Sequence, residues 1–247
     1  MAILTHQSSL QNLTQYTPMR CDTHFITNMS KAAKSFFDHK DISWVSLGSV
    51  LEDVRNGVNL GTSLYAMDET TNLYISVSQI KEHGLIEKNQ SYLSVDVRSV
   101  TGFFELVPGM LLITRSGTIG VALSTDNPSF EFDEYSYIPS GFVITAKIKN
   151  GISANMIASY LNLFPVQSYL VAMAAGACQK NLAQPAINAL PIPESILDNS
   201  THIQSLFDKY RAEADKIIQD IKTNEIKLTN LKQESANTII EILSSSS

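Results

Sequence analysis

Cysteine is nearly absent. Cys21 and Cys178 are the only two in 247 residues, far apart, and neither has a second Cys at ligand spacing. That excludes a disulfide framework and a zinc site of the usual spacing, so no metal is expected. Basic charge is also short: 18 Lys and Arg stand against 24 Asp and Glu, a net charge of -6, the wrong sign for gripping nucleic acid by electrostatics alone. No single segment makes up the deficit. Residues 1–40 hold four basic and two acidic side chains, 41–196 eight and fourteen, and 197–247 six and eight. A nucleic-acid reader of this composition must rely on local placement of a few cations, or on a basic partner.

Long apolar runs are missing too. Stretches such as Met110 to Ile113 and Val171 to Ala175 fall far short of the roughly 18 to 20 residues a membrane span needs. Gln11, Asn12 and Gln15 interrupt any apolar core near the start, so a secretory signal is not expected. The expectation is a cytoplasmic protein with no membrane partner. Catalytic signatures are equally sparse: there is no Gly-rich phosphate loop followed by Lys-Ser/Thr, no Gly-x-Ser-x-Gly, no His-Glu-x-x-His and no Cys-x-x-Cys. His6, His24, His39, His83 and His202 are scattered and read as surface or capping residues. Asn127-Pro128-Ser129-Phe130 approaches the Asn-Pro-Pro-Phe/Tyr element of amino-methyltransferases, but Ser replaces the second Pro and no Phe-x-Gly-x-Gly segment accompanies it, so a turn is expected there. Gly117-Thr118-Ile119-Gly120 has the bare Gly-x-x-Gly spacing of a nucleotide-clamping loop, a weak signal. A non-enzymatic protein without cofactor is expected.

What is present is apolar content of 44%, enough for a substantial core without staples. Three regions differ in pattern. Residues 1–43 are polar and read as an N-terminal extension with one short helix from Ser30 to Asp38. Residues 44–197 alternate short β-rich runs with turns. Leu73 to Ile80 alternates apolar and polar side chains as a strand should; Met110 to Thr114 and Thr118 to Leu123 form a second pair joined through Arg115-Ser116-Gly117; Phe142 to Ile148 is another strand. Ser153 is placed to cap a helix carrying Ile157, Tyr160, Leu161 and Phe164, and Pro165 kinks it or starts a second one ending near Gly176. The fold class expected is α+β, a mixed globular domain followed by one long C-terminal coiled-coil helix.

That helix, in region 198–247, is the clearest pattern in the chain. Ile203, Phe207, Tyr210, Ala214, Ile217, Ile221, Asn224, Leu228, Leu231, Ser235, Thr238 and Ile242 step by four and three without a slip. Neither Gly nor Pro interrupts 194–243, so a helix of about 40 residues and roughly 60 Å is expected. Left wet, such a stripe forfeits the burial that stabilises a long helix, so it must pack on a second one. Asn224 is the kind of polar residue that fixes register. Leu206, Ile218 and Ile239 broaden the apolar face and leave open a helix lying across its own domain. Ser244 to Ser247 should fray.

Three ordered segments carry a resemblance: Trp44-Val45-Ser46-Leu47-Gly48 with Arg55-Asn56-Gly57; Tyr74-Ile75-Ser76-Val77; and Leu106 through Gly120. With Gly176-Ala177-Cys178-Gln179-Lys180-Asn181-Leu182 and Leu190-Pro191-Ile192-Pro193, they resemble one target recognition domain and helix of a type I restriction-modification specificity subunit, over about residues 44–243. Met110 stands where that family usually has Asp, and its usual Gln at the start of the helix is at best Gln204. The resemblance implies a non-catalytic subunit whose chemistry is done on adenine by methyltransferase partners, and leaves open whether a restriction subunit joins them. Full-length members resemble two such halves in tandem, their helices antiparallel; one half implies a homodimer on double-stranded DNA reading an inverted repeat. Arg115, Ser116 and Thr118, on a turn, and Gln79, Lys81, Arg98, Gln179 and Lys180, flanking other elements, are the candidate DNA-binding residues. Tyr65, Tyr92, Tyr135 and Tyr137 could touch bases or sugars. Dimerisation would fall to the stripe. A coiled-coil adaptor without DNA binding is the competing expectation, favoured by the acidic balance.

Overall fold

The computed structural model describes residues 31–86, 91–94, 105–149, 151–174, 180–198 and 201–245. The chain divides into a head, Met1–Ile203, and a second unit, Gln204–Ser247. In chain order the described elements are α1 (Lys31–Phe37), β1 (Trp44–Ser46), β2 (Leu51–Asn56), β3 (Asn72–Ile75), β4 (Ile80–Lys81), β5 (Gly84–Leu85), β6 (Ser91–Tyr92), β7 (Met110–Thr114), β8 (Ala122–Ser124), β9 (Ser136–Pro139), β10 (Val143–Ile148), α2 (Ala154–Leu161), α3 (Phe164–Met173), α4 (Gln184–Asn188), β11 (Pro191–Pro193) and α5 (Thr201–Ser245). The class is mixed α and β, as expected.

The apolar run of β7 is buried along its whole length, because both faces of its sheet are covered. The antiparallel order is β2-β10-β7-β8. On one face Met110, Leu112, Leu123 and Val143 pack against Leu73, Ile75 and Tyr137 of a three-stranded sheet ordered β6-β3-β9, in which β3 and β9 run parallel. On the other, α2 lies over β7 and β8. Its start is set as the spacing implies: Ser153 Oγ accepts from the Met156 amide at 3.2 Å. Pro165 sits in the first turn of α3 and so starts a helix rather than kinking one. A bulge in the β10–β2 ladder puts two residues against one between Thr145 and Lys147. Asp53 takes a left-handed φ of 52° there and pairs with Arg55 and Lys147.

Two strand boundaries differ from expectation. The run 73–80 stops being a strand at Ile75 and turns through a tight helical turn, Val77–Gln79. Gln79 Oε1 accepts from the Ser76 amide at 2.8 Å and from Ser76 Oγ at 3.0 Å, a side-chain cap that competes with the ladder. The partner of β7 begins at Ala122 rather than Thr118. Gly117 and Gly120 are left-handed at φ 75° and 83°, and Thr114 Oγ1 takes the Val121 amide at 2.9 Å, so 115–121 is a loop.

The segment from Lys31 to Trp44 is packed into the head. Ala33 and Phe37 are buried, and the Phe37 ring lies 5.5 Å from Trp44 and 4.9 Å from Tyr169. β1 pairs antiparallel with β11, joining Trp44 to Pro193 and Ser46 to Pro191. Two of the quoted segments, 150 residues apart in sequence, thus form one ladder. Phe37→Ala is expected to cost about 3 to 5 kcal/mol, the range for emptying a buried aromatic site, read as a shift of the denaturant midpoint at constant slope.

The described residues of the second unit all lie in α5, a helix of 45 residues that begins at Thr201. Tyr210, Ile217, Ile221, Leu228 and Leu231 on the expected stripe are exposed, Asn224 is exposed and Phe207 and Ile203 are half-buried. The side chains of Ala214 and Ile242 lie outside the described residues. Leu206 and Ile226, off the stripe, are exposed as well. Among the described residues no single helix is long and apolar enough to cross a membrane, and no His, Cys, Asp and Glu gather as a metal site.

Candidate nucleic-acid interface

The loop between β7 and β8 is fixed at its base and open at its tip. The Gly120 amide closes back on the Thr114 carbonyl at 2.7 Å, the Arg115 amide donates to Phe142 O at 3.0 Å, and the Leu182 amide donates to Arg115 O at 2.8 Å. Ser116 also bridges to Asn181. Here too, quoted segments distant in sequence meet. Gly117 and Thr118 remain exposed, presented between backbone groups that are hydrogen-bonded at the base of the loop.

Beside this tip lies an open cleft of about 550 Å³. The loop contributes Ser116, Gly117 and Thr118; the turn after β3 adds Ser76, Val77 and Ser78; and Asn59, Leu60, Tyr65, Tyr74, Ser140 and Phe142 complete its rim. None of the lining residues is a Lys, Arg, Asp, Glu or His. Its hydrogen-bonding capacity is hydroxyl and amide, interleaved with aromatic surface: Phe142 is 47% exposed, and Tyr65 packs on Tyr74 at 5.8 Å. Such a surface suits the edges and faces of neutral bases better than phosphate, which calls for cations or converging backbone amides. Ser140 Oγ is buried with no hydrogen-bond partner, an acceptor and donor held ready beside the cleft.

The candidate residues divide. Ser116 and Thr118 line the cleft, although Ser116 is 3% exposed and offers little beyond its own bridge. Arg115 is half-buried, with Nε shielded and unpartnered, and is not part of the lining. Gln79 is buried, engaged with Ser76, and borders a separate cavity of about 120 Å³ with Ile75, Leu85 and Tyr137. Lys81 is half-buried on β4 and Lys180 is exposed, both away from the lining. Arg98 and Gln179 lie outside the described residues. Of the four candidate tyrosines, Tyr65 alone lines the cleft; Tyr92 and Tyr135 both donate to Glu69 Oε1 at 3.1 Å, and Tyr137 accepts the Glu131 amide at 2.8 Å. Asn59, Ser78, Ser140 and Phe142 were not legible as site residues, because chain crossings and not local patterns bring them together.

The Asn127–Phe130 element is a turn. Asn127 Oδ1 accepts from the Ser129 amide at 3.0 Å and from its hydroxyl at 2.7 Å, while Nδ2 donates to His83 O at 3.3 Å. Phe130 is buried 5.1 Å from Tyr137. The amide is therefore committed to its own turn through Oδ1 and to His83 through Nδ2.

Several tyrosines are held neutral. Burial pushes the Tyr160 phenol far above its ordinary value, helped by the neighbouring Tyr169, and its hydroxyl donates to Pro191 O at 2.7 Å. Burial likewise raises Tyr74 and Tyr137. A phenol whose folded value is raised contributes stability below its unfolded value near 10.0 and loses it as pH climbs, because the unfolded chain releases the proton first. Stability is expected to fall above about pH 10. Tyr160→Phe should flatten that fall by up to about 1.4 kcal/mol per pH unit in denaturation series from pH 8 to 11.

No protein-family model matches the chain, and no curated protein matches it in sequence. Among solved structures the chain shares its fold with the S subunit class of type I restriction-modification systems: the crystal structure of the HsdS subunit from Thermoanaerobacter tengcongensis aligns over 86% of this chain and 48% of that one, with a TM-score of 0.51 at 12% identity. The S subunit from M. genitalium aligns over 74% and 42%, with a TM-score of 0.47 at 11% identity. A chain from a study of complex assembly and conformational transition of the type I R-M system aligns over 87% and 50%, at 0.46 and 12%. The chain spans half or less of the length of these proteins.

Proposed function

We propose that this chain is a DNA specificity subunit of a type I restriction-modification system, non-catalytic, carrying one recognition head and one spacer helix. The observation that carries this reading is the shared fold with HsdS over most of the chain. In this reading the uncharged cleft beside Gly117 and Thr118 meets base edges. Arg115, Lys81 and Lys180, with Gln79, Arg98 and Gln179, supply further donors around the head, and methyltransferase subunits carry out the transfer to adenine. Two copies pair through antiparallel α5 helices as a coiled coil and hold two heads on the two halves of an inverted repeat. The net charge of -6 assigns much of the phosphate contact to the partner, and the complex is cytoplasmic.

The helix then acts as a ruler. Seven residues inserted near Asn224 should shift each head by about 10 Å, roughly three base pairs, and change the spacer preferred in a binding selection with the methyltransferase complex. An unchanged spacer refutes the ruler. The acidic balance favours one rival, a coiled-coil adaptor. That adaptor would dimerise, yet neither it nor its complex with a methyltransferase would bind duplex in a salt-dependent way.

A further inference from the structure

We propose that α5 pairs with α5 of a second copy in one defined antiparallel register, its two-fold axis crossing between residues 222 and 223. Ile221 of one copy then meets Asn224 of the other, Ile217 meets Leu228, and Tyr210 meets Ser235. This rests on the homodimer reading above and adds which residues face which.

Side-chain size selects the direction. The stripe is bulky in its first half, with Phe207 and Tyr210, and small near its end, with Ser235 and Thr238. Parallel pairing in register would stack Tyr210 on Tyr210 and Ser235 on Ser235, overpacking one layer and leaving a void in another. Antiparallel pairing about 222–223 sets large against small: Phe207 against Thr238, Tyr210 against Ser235, and Leu231 against Ala214. Flanking charge does not decide. Parallel pairing brings Asp220 to Glu225 and Lys227 to Lys232; antiparallel pairing brings Asp220 to Lys227, but also Glu213 to Glu234 and Arg211 to Lys232.

Register follows from overlap and from Asn224. The chosen register pairs every stripe residue from Ile203 to Ile242. Sliding one heptad either way leaves Ile203 and Phe207, or Thr238 and Ile242, without a facing residue. It also sets Ala214 against another small or polar residue, Thr238 or Asn224. In the chosen register the two Asn224 side chains lie about 4.5 Å apart along the axis, close enough for their amides to bond each other across it. In the slide that sets Asn224 against Ala214 they stand about 15 Å apart, each buried alone. Exposed Tyr210, Ile217, Ile221, Leu228 and Leu231 are covered together.

Double electron–electron resonance on the full-length chain tests this, with Lys209→Cys spin-labelled and Cys21→Ser and Cys178→Ser removing other thiols. Lys209 is exposed and off the stripe. The register gives an inter-label distance of about 40 Å; one-heptad slides give about 30 or 50 Å, and parallel pairing gives less than about 20 Å. Any of these other distances overturns the proposal, as does a monomer by sedimentation of the unmodified chain. Ile217→Cys with Leu228→Cys provides a second reading: oxidation should give a covalent dimer linked 217 to 228, and linkage of 217 to 217 in the Ile217→Cys single variant contradicts it. Neither measurement needs DNA or a methyltransferase. A 40 Å distance without duplex binding by the methyltransferase complex would keep the register and end the specificity reading, and a DNA-reading monomer would do the reverse.

Discussion

Ile217→Asp combined with Leu228→Asp should turn a dimer into monomers at concentrations where the parent chain is fully associated. Both residues are large, apolar and exposed on α5. In the paired helix they face each other, and the double variant places carboxylates in four positions that would otherwise be dry. Losing a buried Leu or Ile costs about 2 to 5 kcal/mol, and the desolvation of each carboxylate adds to it. Even about 4 kcal/mol in total weakens association roughly a thousandfold. Sedimentation should show the monomer, and helicity should fall with it, because a long isolated helix is marginal in water. The head should keep its own unfolding midpoint. Unchanged association would place the contact elsewhere.

Gly57→Ala is the second large effect, and it acts on the head. A Cβ on Gly57 would sit 2.1 Å from the Pro139 carbonyl oxygen and 2.4 Å from that of Ser140. Both clashes are with backbone, which cannot rotate away. The surrounding contacts are the ones that hold the cleft wall: the Gly57 amide donates to Val143 O, the Val58 amide to Pro139 O, and the Gly141 amide to Val58 O, each at 2.9 Å. Relief requires parting β9 from the chain after β2, at a cost of about 3 kcal/mol or more. Ser140 and Phe142 should move with it, so recognition is lost along with stability. Gly61→Ala is the control: its nearest neighbour would be Ser63 Oγ at 3.6 Å, and its φ of -69° suits any residue. It should be neutral or slightly stabilising. Equal effects of the two changes would contradict this account of Gly57.

Local features were legible in the sequence where one short rule decides them. Ser153 caps α2, Pro165 starts α3, and Met110 to Thr114 forms the strand β7. Legibility failed where side chains or distant segments compete with the local pattern. The alternation over 73–80 was a fair strand signal until Gln79 turned back on Ser76. Polar composition made 1–43 read as an extension, although Phe37 packs on Trp44 and Tyr169 and Phe36 lies 6.2 Å from Tyr160. The parallel β3–β9 pair joins residues more than 60 apart, beyond the reach of periodicity. The cleft followed the same logic. Thr118 was visible on its turn, whereas Asn59 arrives from the chain after β2 and Ser140 and Phe142 from the turn between β9 and β10, and Arg115, chosen for its chemistry, is half-buried outside the lining.

Mapping of methylated adenines in cells that co-express this chain with methyltransferase subunits tests the whole account in one measurement. Two identical heads held apart by paired helices require a split motif, its halves inverted repeats of one another with a constant spacer between them. A contiguous site, an asymmetric pair of halves or methylation independent of this chain would contradict it.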